Sequence, residues 1–108
     1  MVGQFGGRTL AFIGLERVGG VMVYDITDPA NAFFLSYTPN APGDNSPEGV
    51  LYIGEEESPT GIPLLVTTNE ISGTTAVYEV VPEPGTLLGL LSAAGAAGLS
   101  LRRRRRMA

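Results

Sequence analysis

The sequence predicts an all-β body over residues 1–81, read as a β-propeller fragment of about two blades, followed by one C-terminal transmembrane α-helix. Three observations carry this expectation. Short β-branched and aromatic runs alternate with turn residues up to Val81. The pattern recurs after 54 positions. Beyond Val81 the composition changes abruptly, into an apolar run closed by arginines.

In chain order, the runs are Thr9 to Glu16, Gly20 to Ile26, Phe33 to Tyr37, Gly49 to Ile53, Leu64 to Asn69 and Thr74 to Val81. Turn residues separate them: Gly19-Gly20, Asp28-Pro29, Asn40 to Pro47, Pro59-Thr60-Gly61 and Ser72-Gly73. Glycine supplies positive φ, proline fixes φ, and Asp or Asn accepts local backbone bonds, so these clusters punctuate strands. Val21-Met22-Val23-Tyr24 and Leu64-Leu65-Val66 are continuously apolar. Strict alternation would give one wet face, whereas continuous runs give strands covered on both sides. A single sheet of this length does not cover both its faces, so the body calls for neighbours.

The repeat is explicit at the residue level. Leu10 corresponds to Leu64, Glu16 to Glu70, Gly19 to Gly73, and Val23-Tyr24 to Val77-Tyr78. Asp25 and Ile26 correspond to Glu79 and Val80, both conservative replacements. A period near 50 residues with several short strands per unit is the pattern of propeller blades. Two unrelated hairpins with similar turns are the alternative.

The tail has three zones. Pro82-Glu83-Pro84-Gly85 breaks strand pairing, because proline lacks a backbone donor. Leu87 to Leu101 carries no charge and holds only Leu, Ala, Gly and Ser. Arg102, Arg103, Arg104, Arg105 and Arg106 follow, ahead of Met107 and Ala108. Fifteen residues of helix span about 22 Å against a hydrocarbon core of about 30 Å, a thin span that a snorkelling Arg102 extends. Positive charge stays cytoplasmic, so the arginines set the orientation and place the body across the inner membrane. A buried helix with a solvated or nucleic-acid-binding arginine tail is the competing reading, and it leaves the order of the zones unexplained.

Charge divides the chain in the same place. Residues 1–81 carry ten Asp/Glu against Arg8 and Arg17, whereas residues 82–108 carry Glu83 against five arginines. There is no lysine, histidine or cysteine. Disulfides, thiol nucleophiles, imidazole bases and Cys/His zinc sites are thereby excluded. The acidic body repels nucleic acid, which is not expected as a partner. Met1 to Ala11 lacks the basic start and apolar core of a signal peptide, with Arg8 interrupting the sole candidate. The chain is therefore expected to be the C-terminal piece of a longer exported protein.

Few residues suggest chemistry, and no cofactor is indicated. Glu55, Glu56 and Glu57 are consecutive and in a strand would point to alternating sides, which suits solvated acids better than a calcium site. Asp25 and Asp28 flank Ile26-Thr27, and Asp28-Pro29 reads as turn chemistry. Glu16 and Glu70 occupy equivalent places beside a turn, either as a structural feature of the hairpins or as a shared functional position. Ser58 and Ser72 have no imidazole partner, and no Gly-x-Ser-x-Gly elbow or Gly-x-x-x-x-Gly-Lys phosphate loop is present. No catalytic or metal-ligating residue is expected in this chain.

Val81-Pro82-Glu83-Pro84, an apolar run and a terminal arginine cluster together resemble the PEP-CTERM sorting signal. That resemblance implies a sorting role for Pro82, Glu83 and Pro84, a membrane stop at Arg102 to Arg106, and an exosortase-type membrane enzyme as partner. It further implies a transient stay in the inner membrane, then the cell surface or extracellular space, where extracellular polysaccharide is a matrix partner. The body, through Ala11 to Arg17, Gly19 to Pro29, Ser46 to Gly49, Leu64 to Val66 and Asn69 to Thr75, resembles the choice-of-anchor I domain. That group is propeller-like and extracellular, and some members are labelled alkaline phosphatase-like or esterase-like. Two functions follow: a non-catalytic adhesion or scaffold body, or a hydrolase whose catalytic groups lie upstream of this chain.

Overall fold

The structure is a computed structural model, which describes residues 1–82 and 99–107. The chain begins with a hairpin. Strands β1 (Val2–Phe5) and β2 (Arg8–Gly14) pair antiparallel from Val2↔Ala11 to Phe5↔Arg8. Gly6 and Gly7 make the two-residue turn with φ of 61° and 77°, the double positive φ that a tight hairpin matched to strand twist requires. Strand β3 (Val21–Asp25) pairs with β2, and β4 (Phe33–Thr38) pairs with β3 through a bulge at Val23/Tyr24. One 3₁₀ turn at Pro29–Asn31 links β3 to β4; Asp28 caps it by accepting from the Ala30 amide.

Strands β5 (Pro47–Ile53), β6 (Leu64–Asn69), β7 (Thr74–Pro82) and β8 (Leu99–Met107) form the second sheet. Both sheets are four-stranded antiparallel meanders, in the orders β1-β2-β3-β4 and β5-β6-β7-β8. The pairing obeys the sequence repeat: Leu10↔Asp25 in one sheet answers Leu64↔Glu79 in the other. Gly19 and Gly73, equivalent by position, both have positive φ.

The core lies between the sheets. Leu10, Phe12, Val21 and Val23 from the first meet Leu65, Ala76, Tyr78, Val80 and Leu101 from the second. The Tyr52 ring joins the layers. It stacks on Phe12 at 5.1 Å between centroids, donates its hydroxyl to the Gln4 carbonyl at 2.8 Å, and lies so close over Gly3 that a Cβ there would run into it. Burial beside these apolar groups, with the Glu55 charge adding to it, pushes the Tyr52 phenol above its ordinary pKa.

The expected fold is corrected at its C-terminal end. Of the apolar run Leu87 to Leu101, residues 87–98 lie outside the described residues, but Leu99–Leu101 is extended and belongs to β8. No helix among the described residues is long and apolar enough to cross a membrane. The reason is the free edge of β7. Its backbone groups need partners, and β8 supplies them from Pro82↔Leu99 to Thr75↔Met107. Leu101, paired with Val80, turns into the core and is 7% exposed. The fold is therefore all-β with two packed antiparallel sheets. A propeller fragment followed by a transmembrane helix does not describe it.

Candidate functional site

The hairpin turns after β2 and β6 lie at one end of the stacked sheets, and they bring the two repeat-equivalent acids together. Glu16, Arg17, Asn45, Ser46, Glu70 and Ile71 line an open cleft of about 410 Å³. The loop before β5 bridges the turns. The Ser46 hydroxyl donates to the Glu16 carbonyl at 3.1 Å, and the Glu70 amide donates to the Ser46 carbonyl at 2.9 Å. Ser46 holds φ of 69°, a left-handed conformation that costs a non-glycine residue about 1–2 kcal/mol.

A buried hydroxyl network fixes that loop. The Thr74 hydroxyl donates to Asp44 at 2.7 Å and accepts from the Asn69 side-chain Nδ2 at 3.3 Å. The Asn45 amide donates to Ser72 Oγ at 2.9 Å, and Ser72 Oγ lies 2.8 Å from Thr74 Oγ1. Asp44, Asn69 and Thr74 are all buried. Ser72 is therefore a hydrogen-bonding post for the loop, and Ser58 similarly bonds Thr60 at 3.1 Å.

Glu48 enters the acidic group through a local irregularity. Pro47 pairs with Asn69 and Gly49 with Thr68, so Glu48 is the extra residue of a bulge, which re-aims its side chain. It shares a hydrogen bond with Glu70. That bond, the Glu70 charge, a little desolvation and the Glu16 charge together raise its carboxyl above the ordinary range. This is an acidic rim on which the Glu48 carboxyl holds its proton more readily than a free glutamate does. Among the described residues, no three acids are placed to share a metal ion.

The other candidates lie apart. Asp25 is buried, accepts from the Thr27 amide at 2.9 Å and sits 3.7 Å from Arg8 Nε. Asp28 accepts from Ala30 and from the Asn31 side chain, which is turn chemistry. Glu55, Glu56 and Glu57 are exposed. Nothing in the sequence flagged Glu48 or Asp44 for this end of the molecule, since their partners lie 22 and 30 residues further along.

The tail is the second site. Pro82 ends β7, opposite Leu99, while Glu83 and Pro84 lie outside the described residues. The arginines Arg102 to Arg106 fall within β8 rather than beyond a membrane helix. Arg102 donates from both Nε and Nη2 to Glu79 Oε1, at 3.0 and 2.7 Å. The Glu79 side chain is 6% exposed and that of Arg102 is 63% exposed, so the pair straddles the surface.

Residues 80–106 match the family model described as PEP-CTERM protein-sorting motif. The match holds Pro82-Glu83-Pro84 and all five arginines, and the sorting motif is thereby located in this chain. No curated protein and no solved structure matches the chain. The motif marks an exosortase-dependent sorting signal, which implies export, membrane-associated sorting and processing by a membrane enzyme.

Proposed function

We propose that this is a bacterial surface or matrix protein in which Pro82, Glu83 and Pro84 are read by exosortase and Arg102 to Arg106 act as the stop that orients the tail. The body serves a non-catalytic adhesion or scaffold role, with extracellular polysaccharide as its matrix partner. One observation carries this reading: the sorting motif over residues 80–106. The acidic body agrees with it, since Glu16, Asp28, Glu48, Glu55, Glu56, Glu57 and Glu70 are all exposed and give a surface that repels other polyanions unless cations bridge them.

The test is a tagged full-length protein expressed beside a variant ending at Val81. The intact chain is expected to be trimmed and to reach the surface or medium, and the shortened one to miss both fates. Identical localisation and processing of the two would end the sorting assignment. Phosphate-ester or carboxyl-ester hydrolysis by the purified protein would replace the scaffold reading of the body.

A further inference from the structure

The two sheets stack head to tail. In the first sheet, the core-facing positions of β2 and β3 are Leu10, Phe12, Val21 and Val23. Moved by the 54-residue repeat, these become Leu64, Val66, Thr75 and Val77, none of which belongs to the core cluster. The second sheet instead faces the core with Leu65, Thr67, Ala76 and Tyr78, all buried. Their counterparts in the first sheet, Ala11, Ile13, Met22 and Tyr24, lie on its outer face. Pairing register is the same in both sheets, so alternation along the strands alone decides the face. The front of the first sheet thus packs on the back of the second. The chain presents outward a second back, on sheet one, and a second front, on sheet two.

The outer surface of the first sheet is apolar and open, whereas that of the second carries an apolar row beside the Glu79–Arg102 pair, with Leu64 buried on it. On the first sheet, Val2, Ala11, Tyr24 and Phe34 form one row across four strands, and Ile13, Met22 and Tyr37 form the next. Ile13 is 43% and Phe34 52% exposed. On the second sheet, Leu51, Val66 and Val77 form a row, with Leu51 54% exposed. Contiguous exposed apolar surface on this scale marks an interaction site. Three repeat-equivalent pairs keep their residue type, Leu10 with Leu64, Val23 with Val77 and Tyr24 with Tyr78, while Phe12 answers to Val66 and Leu65 to Ala11.

We propose that the protein self-associates head to tail, the outer face of the first sheet in one copy packing on the outer face of the second sheet in the next. The occupant is a second copy because the contact sets β2 and β3 of one copy against β6 and β7 of the next, the same strand pairs that already pack on each other within the chain. A contact of this kind is not two-fold, so repeating it builds a ring or a filament.

Sedimentation velocity on the full chain over a range of concentrations tests this, with two variants, Ile13→Lys and Leu51→Lys. The wild type is expected to grow from monomer to dimer and larger species. Each variant alone is expected to associate about tenfold or more weakly. An equimolar mixture of the two should give a dimer that grows no further, because each supplies the intact face the other lacks. Far-UV circular dichroism confirms folding, and Phe34→Ser with Leu51→Ser replaces any lysine variant that unfolds. A wild type that stays monomeric at its highest soluble concentration overturns the proposal, as would be the case if a further repeat of a longer chain covers these faces. So does a variant that still self-associates fully, which indicates a two-fold contact, or association indifferent to both substitutions, which indicates the tail.

Discussion

Glu48 shows how one inserted residue reshapes a local field. The bulge in β5 brings its carboxyl beside Glu70, whose hydrogen bond and charge make Glu48 hold its proton more readily than a free glutamate does. Its folded pKa lies above the unfolded one, so its contribution to stability is complete below the ordinary glutamate value and is lost as pH rises through the raised value. Replacing Glu70 with Gln removes the charge while keeping a hydrogen-bonding side chain. Carbon-detected NMR titration of the Glu48 carboxyl is then expected to midpoint lower than in the wild type. Urea midpoints of the two proteins should converge on acidification and separate, with Glu70→Gln the more stable, as pH rises through that window. Sequence made half of this visible: Glu16 and Glu70 were marked by their equivalence in the repeat. Glu48 was not, because a bulge is decided by pairing across strands and leaves no local signature.

Among the elements, six strands were legible because each is a β-branched or aromatic run between turn residues. Strand β1 escaped, since Val2-Gly3-Gln4-Phe5 holds only two apolar side chains, although Gly6-Gly7 is the turn signal that would have found it. Strand β8 escaped for a different reason. Its Leu/Ser start continues a run with helical composition, and five arginines carry no strand preference of their own. What makes it extended is a partner edge in space. The Arg102–Glu79 pair fastens that strand, with two hydrogen bonds from an exposed arginine to a buried carboxylate. Arg102→Ala takes a charged partner from that buried carboxylate, so it should lower the melting temperature and speed hydrogen exchange at the β7 amides that face β8. Unchanged exchange there would show that the pair does not fasten the strand.

At the scale of the whole molecule, the core has no separate halves. Phe12 touches Tyr52 across the layers, and Val80 and Leu101 complete a cluster begun by Leu10. Phe12→Ala is expected to cost about 3–5 kcal/mol, the usual range for deleting a fully buried ring. Because both sheets share that core, amide protection should fall in β6 and β7 as well as in β2 and β3. Loss confined to the first sheet would mean that the layers unfold independently. The sequence indicated this coupling through its continuously apolar strands, which need cover on both faces. It could not say which layer supplies the cover, because that depends on how alternation in one repeat meets alternation in the next.

The β7–β8 ladder also ties processing to conformation. While the chain is intact, β8 is held beside β7 at the high effective concentration of a tethered segment, so modest pairing keeps it in place. A cut anywhere between Pro82 and Leu99 turns that strand into a separate short peptide, free to dilute away. Its departure strips the donors and acceptors of β7 that face β8 of their partners, while those facing β6 stay paired, and uncovers Val80 where Leu101 had lain. Trimming by the membrane enzyme would then do more than release cargo. It would leave the mature body with an unpaired sheet edge, a surface onto which another extended segment can add as a strand.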